Sequence, residues 1–272
     1  MLRPRVLATG VALMLPAVLA PTASAETFAA VDSKNRLYTF SDAKPGDWKR
    51  AALRGLGIGE RIVGLDVRPA NRQLVAVTNR NRLVTVSRSK NTVTAIGAAP
   101  FMPALMGSSV AFDFNPTVDR IRLATSTGQN LRLNPDSGAV AMTDMPLVYK
   151  AGDPAAGVAP AALGAAYTNN VRAATATTLY DVDTRRDSLA IQAPPNDGVL
   201  STVGPLGVDL AGPLGFDISA RDGRAYVLAR RARAPRPRLY SVNLMTGAAK
   251  QIGVVSRAPS LVAFAALSKP KS

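Results

Sequence analysis

A unit of about fifty residues recurs along this chain, each copy built from four short runs in which apolar and polar residues alternate. A unit of that size cannot bury its own apolar face, so the copies must stack on one another, and this constrains the fold more than any local feature. Ile62–Val67 (IVGLDV) is followed by Gln73–Thr78, Arg82–Ser87 and Thr92–Gly97. Val110–Phe114 (VAFDF) is followed by Arg120–Thr125, Asn130–Asn134 and Ala139–Thr143. Leu163–Thr168 (LGAAYT) leads Val171–Thr175, Thr178–Asp183 and Ser188–Gln192, and Leu214–Ile218 (LGFDI) leads Arg224–Ala229, Arg238–Asn243 and Ala248–Gly253. Asp66, Asp113 and Asp217 mark the register, and Ala166 stands where the third copy has lost its Asp.

Strict alternation over short runs reads as antiparallel strands, so each copy is a four-stranded meander. The connections support this. Ser87–Asn91, Asn134–Gly138, Asp183–Asp187 and Asn243–Gly247 share one offset, opening on a side chain that bonds the following backbone and closing on Gly, Asn or Asp, which tolerate left-handed φ. The ends are complementary. Ser260–Leu267 (SLVAFAAL) repeats the first strand of a copy, whereas Thr27–Val31, Arg36–Ser41 and Trp48–Leu53 repeat the last three without a first. Joined, they make one blade from both termini. The expected architecture is an all-β propeller of five four-stranded blades, closed by pairing the N- and C-terminal strands. Closure of this kind removes exposed sheet edges. An α/β fold is excluded, because no segment keeps a 3.6-residue apolar period over three turns; the nearest, Ala151–Ala166, is broken by Pro154, Gly157 and Pro160. A β-sandwich is the alternative architecture.

Residues 1–25 read as a signal peptide: Arg3 and Arg5, an apolar stretch over Val6–Ala20, then Ala23-Ser24-Ala25 as a small-residue cleavage site. The apolar core is short for a membrane span, so residues 26–272 are expected as one soluble propeller domain, periplasmic or secreted, without a transmembrane segment and monomeric. Removing that segment leaves 31 basic against 18 acidic residues. Such a field favours anionic partners, although an arginine-rich composition alone would also produce it.

The chain has neither His nor Cys. Ser-His-Asp and Cys-His triads, zinc sites built on imidazole or thiolate, haem held by His or Cys, iron–sulfur clusters and disulfides are therefore excluded. No phosphate loop, nucleophile elbow or dinucleotide fingerprint is present; Gly55-Leu56-Gly57-Ile58-Gly59 has glycine spacing with no helix behind it.

The run Phe112–Gly138 (FDFNPTVDRIRLATSTGQNLRLNPDSG), with the segment 164–204 containing AYTNN, TLYDVD and PPNDG, and the copy from Pro213 to Gly253, resembles a known family. It is similar to the bacterial secreted proteins grouped as the domain-of-unknown-function family numbered 4394. The resemblance covers nearly all of residues 26–272 and implies an exported propeller-like protein. It implies no catalytic residues, since the family has no assigned activity.

Two groups are candidate sites. Asp66, Asp113 and Asp217 recur at equivalent strand positions, where carboxylates lining a central channel would suit Ca²⁺ or another hard cation, with Asn115 able to add an amide oxygen. The competing and preferred reading is that each Asp bonds backbone amides where blades meet, because Ala166 and Ala265 break any metal ring but not a blade-by-blade bond. Arg230, Arg231, Arg233, Arg236 and Arg238 form an arginine-rich hairpin able to grip phosphates or uronates, or simply a solvated loop. Nucleic acid is not expected there, because no aromatic interleaves the arginines to stack bases. Asp181, Asp183 and Asp187 are a poor Ca²⁺ loop, lacking the Gly and Glu such loops use, and read as turn chemistry. These readings lead to a non-catalytic exported module that binds an envelope protein, glycan or anionic ligand and needs no cofactor. The alternatives are a Ca²⁺-dependent hydrolase or lactonase using the channel carboxylates, and an arginine-loop binder of anionic surfaces.

Overall fold

The computed structural model describes residues 25–107, 109–255 and 261–270; the signal peptide proposed from the sequence, apart from Ala25, lies outside them. The described residues form 21 strands and one short 3₁₀ turn at Pro195–Asp197, arranged as a five-bladed propeller. Blade one holds β1 (Thr27–Asp32), β2 (Arg36–Ser41) and β3 (Lys49–Ala52). Blade two holds β4 (Ile62–Val67), β5 (Leu74–Thr78), β6 (Leu83–Ser87) and β7 (Thr92–Ile96), and blade three holds β8 (Val110–Asn115), β9 (Arg120–Thr125), β10 (Asn130–Leu133) and β11 (Val140–Thr143). After β12 (Val148–Tyr149), blade four comprises β13 (Ala162–Tyr167), β14 (Leu179–Asp183), β15 (Ser188–Gln192) and β16 (Val199–Pro205). Blade five is β17 (Leu210–Ile218), β18 (Ala225–Arg231), β19 (Arg238–Val242) and β20 (Ala249–Val254), and β21 (Leu261–Ala266) returns as the inner strand of blade one. Among the described residues no helix is long and apolar enough to cross a membrane.

The ring closes as the alternation requires: β21 pairs antiparallel with β1, Phe28 facing Ala266 and Ala30 facing Phe264. The hairpin turns close on the left-handed residues expected from the sequence, Asn91, Gly138, Asp187 and Gly247 having φ of 53°, 73°, 48° and 81°. Asn134 Oδ1 accepts from the Asp136 amide at 2.8 Å, and Asn243 Oδ1 from the Met245 amide at 2.8 Å. Blade four departs from the sequence reading. Residues 171–175, expected as its second strand, lie in the connection between β13 and β14, so Thr178–Asp183 supplies the second strand and β16 the fourth, and β12 adds a fifth, parallel strand at the outer edge where four were expected. Periodicity misled here because a longer connection was inserted at one turn, shifting every later strand by one place.

An apolar core fills each blade junction. Ala29, Ile62 and Leu65 pack between blades one and two, and Val77, Phe112 and Leu123 between two and three. Leu189, Phe216 and Val227 pack between four and five, and Phe28, Tyr226 and Phe264 between five and one. The junction of blades three and four is different, being rich in small residues: Ala111, Ala124, Ala155, Ala165 and Ala190.

The five inner strands approach so closely that the centre is nearly shut. A Cβ placed on Gly64 would stand 2.7 Å from the Phe112 Cβ, and one on Gly215 only 2.1 Å from the Phe264 Cβ. What remains of the channel is a cavity of about 10 Å³, room for about one water. Gly215→Ala should therefore force two inner strands apart and destabilise the protein by about 1–3 kcal/mol or more, read as a lower denaturant midpoint; an unchanged midpoint would mean the ring can dilate freely.

Candidate functional site

Alternation places Asp66 on β4, Asp113 on β8 and Asp217 on β17 at one level of the ring, all buried. Each reaches forward to the next blade. Asp66 Oδ2 accepts from the Phe114 amide at 2.8 Å, Asp113 Oδ2 from the Tyr167 amide at 2.8 Å, and Asp217 Oδ2 from the Ala266 amide at 2.6 Å. The other oxygens of Asp66 and Asp217 accept from the amides of Val67 and Ile218, both at 2.6 Å. These carboxyls staple three of the five junctions. Where Ala265 replaces the Asp, Arg72 bridges instead, donating through Nη2 to the carbonyls of Leu267 and Ser268 at 2.9 Å. Where Ala166 replaces it, Asn170 Nδ2 donates to the Ile218 carbonyl at 2.8 Å.

The same carboxyls also converge, one oxygen from each lying within 4.8 Å of the others. Burial raises all three above the ordinary carboxylate range, pushing Asp66 up to about 7, and the mutual negative charge raises Asp113 and Asp217 further. The neighbouring Arg72 is itself lowered by burial, opposed by the charges of Asp66 and Asp217. A triad of this kind holds protons near neutral pH or, as a set of hard oxygen ligands, a cation. Asn115 does not join it: its Oδ1 accepts from the Thr117 amide at 2.9 Å and hydroxyl at 2.7 Å. Beside the nearly closed channel the triad forms no open funnel.

The arginine segment is distributed differently from the expected loop. Arg230 and Arg231 end β18 and Arg238 begins β19, leaving Arg233 and Arg236 in the connection; Arg231, Arg233 and Arg236 are exposed. Among the described residues none of the five has a carboxylate within 4.0 Å. The Asp181–Asp187 segment is dispersed: Asp183 Oδ2 accepts from the Tyr149 hydroxyl at 2.8 Å, and Asp187 Oδ1 from the Leu210 amide at 2.9 Å. Asp181 is fully buried, neither carboxyl oxygen has a hydrogen-bond partner among the described residues, and burial pushes it up to about 7 against the field of Arg122.

Arg122 was not singled out by the sequence reading. It pairs with Asp113 across β8 and β9, the register position held by Val75, Tyr180 and Tyr226 in blades two, four and five. Aligning RIRLAT with QLVAVT, TLYDVD and RAYVLA would have exposed it as a charge in an apolar column. Its side chain is 2% exposed.

Residues 36–265 match the family model described as domain of unknown function (DUF4394). No curated protein matches the chain by sequence. Among solved structures it is similar to glutaminyl cyclase from Myxococcus xanthus, with a TM-score of 0.52 and 14% identity over 84% of this chain and 87% of that one. It is also similar to a structural genomics protein of unknown function from Bacteroides thetaiotaomicron, with a TM-score of 0.51 and 14% identity over 74% of this chain and 53% of that one, so it spans about half of the latter. Likeness at that identity shows a shared fold.

Proposed function

The chain belongs to the DUF4394 family, whose domains have no known function, and from that premise we propose that it is an exported, non-catalytic propeller that binds a ligand at the outer parts of its ring. One observation carries this reading: the convergent carboxyls, the best-equipped chemical group among the inner strands, are 1–3% exposed and engaged by backbone amides of adjacent blades. A substrate carbonyl or phosphoryl group has no space to approach them. With no His in the chain, acid–base work near neutral pH would fall to tuned carboxyls, Lys or Tyr, and the raised carboxyls serve as staples.

The test is a screen of the purified protein with millimolar Ca²⁺ against lactones, phosphoesters and aryl esters. No turnover is expected; turnover lost in Asp66→Asn or Asp217→Asn would establish the hydrolase reading instead. That second reading draws on the convergence of the three carboxyls.

Export is the companion part of the proposal. Glu26 is buried, its amide nitrogen lies 2.9 Å from Asp42 Oδ1, and its carboxylate accepts from the Ser219 hydroxyl at 2.5 Å and the Ser268 amide at 2.9 Å. A chain cut after Ala25 would place its new α-ammonium against Asp42.

A further inference from the structure

The distinctive run from Phe112 to Asn134 folds around one cavity. Between blades three and four lies a concavity of about 200 Å³ whose wall includes Asn115, Arg120, Arg122, Arg132, Tyr167 and Asn196. Val118 and Pro195 complete the wall, so its apolar share is small beside its polar and cationic groups.

Burying a guanidinium in an apolar column is strongly unfavourable unless its donors are engaged. Arg122 meets that condition. Nη1 donates to Asn130 Oδ1 at 2.8 Å and Asp144 Oδ2 at 2.5 Å, Nη2 to Asn196 Oδ1 at 2.8 Å, and Nε to the Tyr167 hydroxyl at 3.4 Å. Asp144 also accepts from Nε and Nη2 of Arg132, both at 2.8 Å. One carboxylate thus fixes two guanidinium groups side by side, and Arg132 Nη1 keeps no hydrogen-bond partner among the described residues. Arg120 is held only through Nη1, to the Asp119 carbonyl at 3.0 Å, with no carboxylate within 4.0 Å among the described residues. Three arginines and no carboxylate line the cavity; Asp144, paired with two of them, and Asp181, in the field of Arg122 and raised by burial, are not part of its wall, which is positive. Nothing in the stability of a propeller requires this: the other blades hold the ring with Ala29, Val75, Tyr180 and Tyr226 at the Arg122 position.

We propose that this cavity is a binding site for a small oxyanion, a carboxylate or phosphate group on a compact molecule, gripped by Arg120 and Arg132 over the fixed floor of Arg122 and Tyr167. Guanidinium forks match both oxyanions bidentately, and arginines already held in place lose little freedom on binding. The volume lies below the range of drug-sized pockets, which restricts the ligand to a small one. The proposal names a ligand class for the binding module proposed above and rests on that reading only in expecting no turnover.

Calorimetric titration of the full chain at low salt with galacturonate, inorganic phosphate and, as a neutral control, galactose tests it. At least one anion should bind, and the tighter of the two identifies carboxylate or phosphate as the group recognised. Galactose should bind at least about tenfold more weakly, and Arg120→Gln should weaken the anion by about tenfold or more while leaving the melting temperature unchanged. Arg122→Leu, apolar as in the other blades, should abolish binding; should it fail to fold, Arg120→Gln decides alone. Binding of neither anion, equal binding of galactose, or anion binding unaffected by Arg120→Gln would overturn the site. So would anion binding lost in the Arg233→Gln, Arg236→Gln double variant, which would place the anion on the hairpin. None of these results touches the turnover screen, and turnover there would overturn the non-catalytic reading without moving these affinities.

Discussion

A chain lacking Ser260–Ser272 should show no cooperative unfolding transition. Deletion removes β21, the inner strand of blade one, with Leu261, Ala263, Phe264, Ala265 and Ala266 all buried. Phe264 stacks on Phe28 with ring centroids 5.0 Å apart and fills the hollow over Gly215, so its loss alone is worth about 3–5 kcal/mol. The Ala266 amide that satisfies buried Asp217 goes with it, and an unsatisfied buried acceptor costs about 1–3 kcal/mol more. Adding Leu261 and the opened edges of β1 and the ring exceeds the roughly 5–15 kcal/mol that holds a domain folded. Calorimetry checks this; a truncated protein with an unchanged melting temperature would mean that the ring closes through other contacts.

The protein should be more stable at pH 5 than at pH 8. Asp66 and Asp181 are each pushed up to about 7, and Asp113 and Asp217 are raised well above their ordinary value, in every case first by burial. A carboxyl whose folded pKa exceeds its unfolded one binds more protons in the native state. Its stabilisation is complete below about pH 4 and is lost as pH rises through the folded value. For Asp181 alone, a rise from 3.8 to about 7 corresponds to roughly 4 kcal/mol. Glu60, Asp136, Asp153 and Asp222 are lowered, so their opposing contribution falls away only below about pH 4.5. Repulsion within a chain of net charge +15 grows on acidification and works the other way, so the direction of the profile isolates the buried carboxyls. Melting temperatures measured from pH 4.5 to 8.5 should fall with pH, and Asp181→Asn should flatten the slope. A melting temperature that climbs from pH 5 to 8 would refute the assignment. A Ca²⁺-dependent rise confined to alkaline pH would mean that a cation takes the protons' place among the three Asp.

The alternating runs and their Asn, Asp and Gly turns were sufficient to establish the strands outside blade four, the five-blade count and the closing of the ring by the C-terminal strand on the N-terminal one, because each is a local pattern repeated at a fixed offset. Repetition also marked Asp66, Asp113 and Asp217 as equivalent. It did not show that they face one another, since the two-residue period of a strand specifies a face and not a distance across the ring.

Tertiary structure decided the rest. The Asp carboxyls both staple the blades and converge, because β4, β8 and β17 are drawn together where Gly64 and Gly215 admit the phenylalanines of the next blade. The inserted connection in blade four moved 171–175 out of its sheet, since strand pairing is settled by register across the blade and not by polarity within a segment. The arginine cavity emerged only on folding: Arg122, Asp144, Tyr167 and Asn196 are spread over some seventy residues of sequence, and what unites them is the hydrogen-bonding requirement of one buried guanidinium. Outside blade four, sequence alternation determined which strands form and how they are ordered; the packing of one blade on the next determined which polar groups lost water, and so which of them had to find each other.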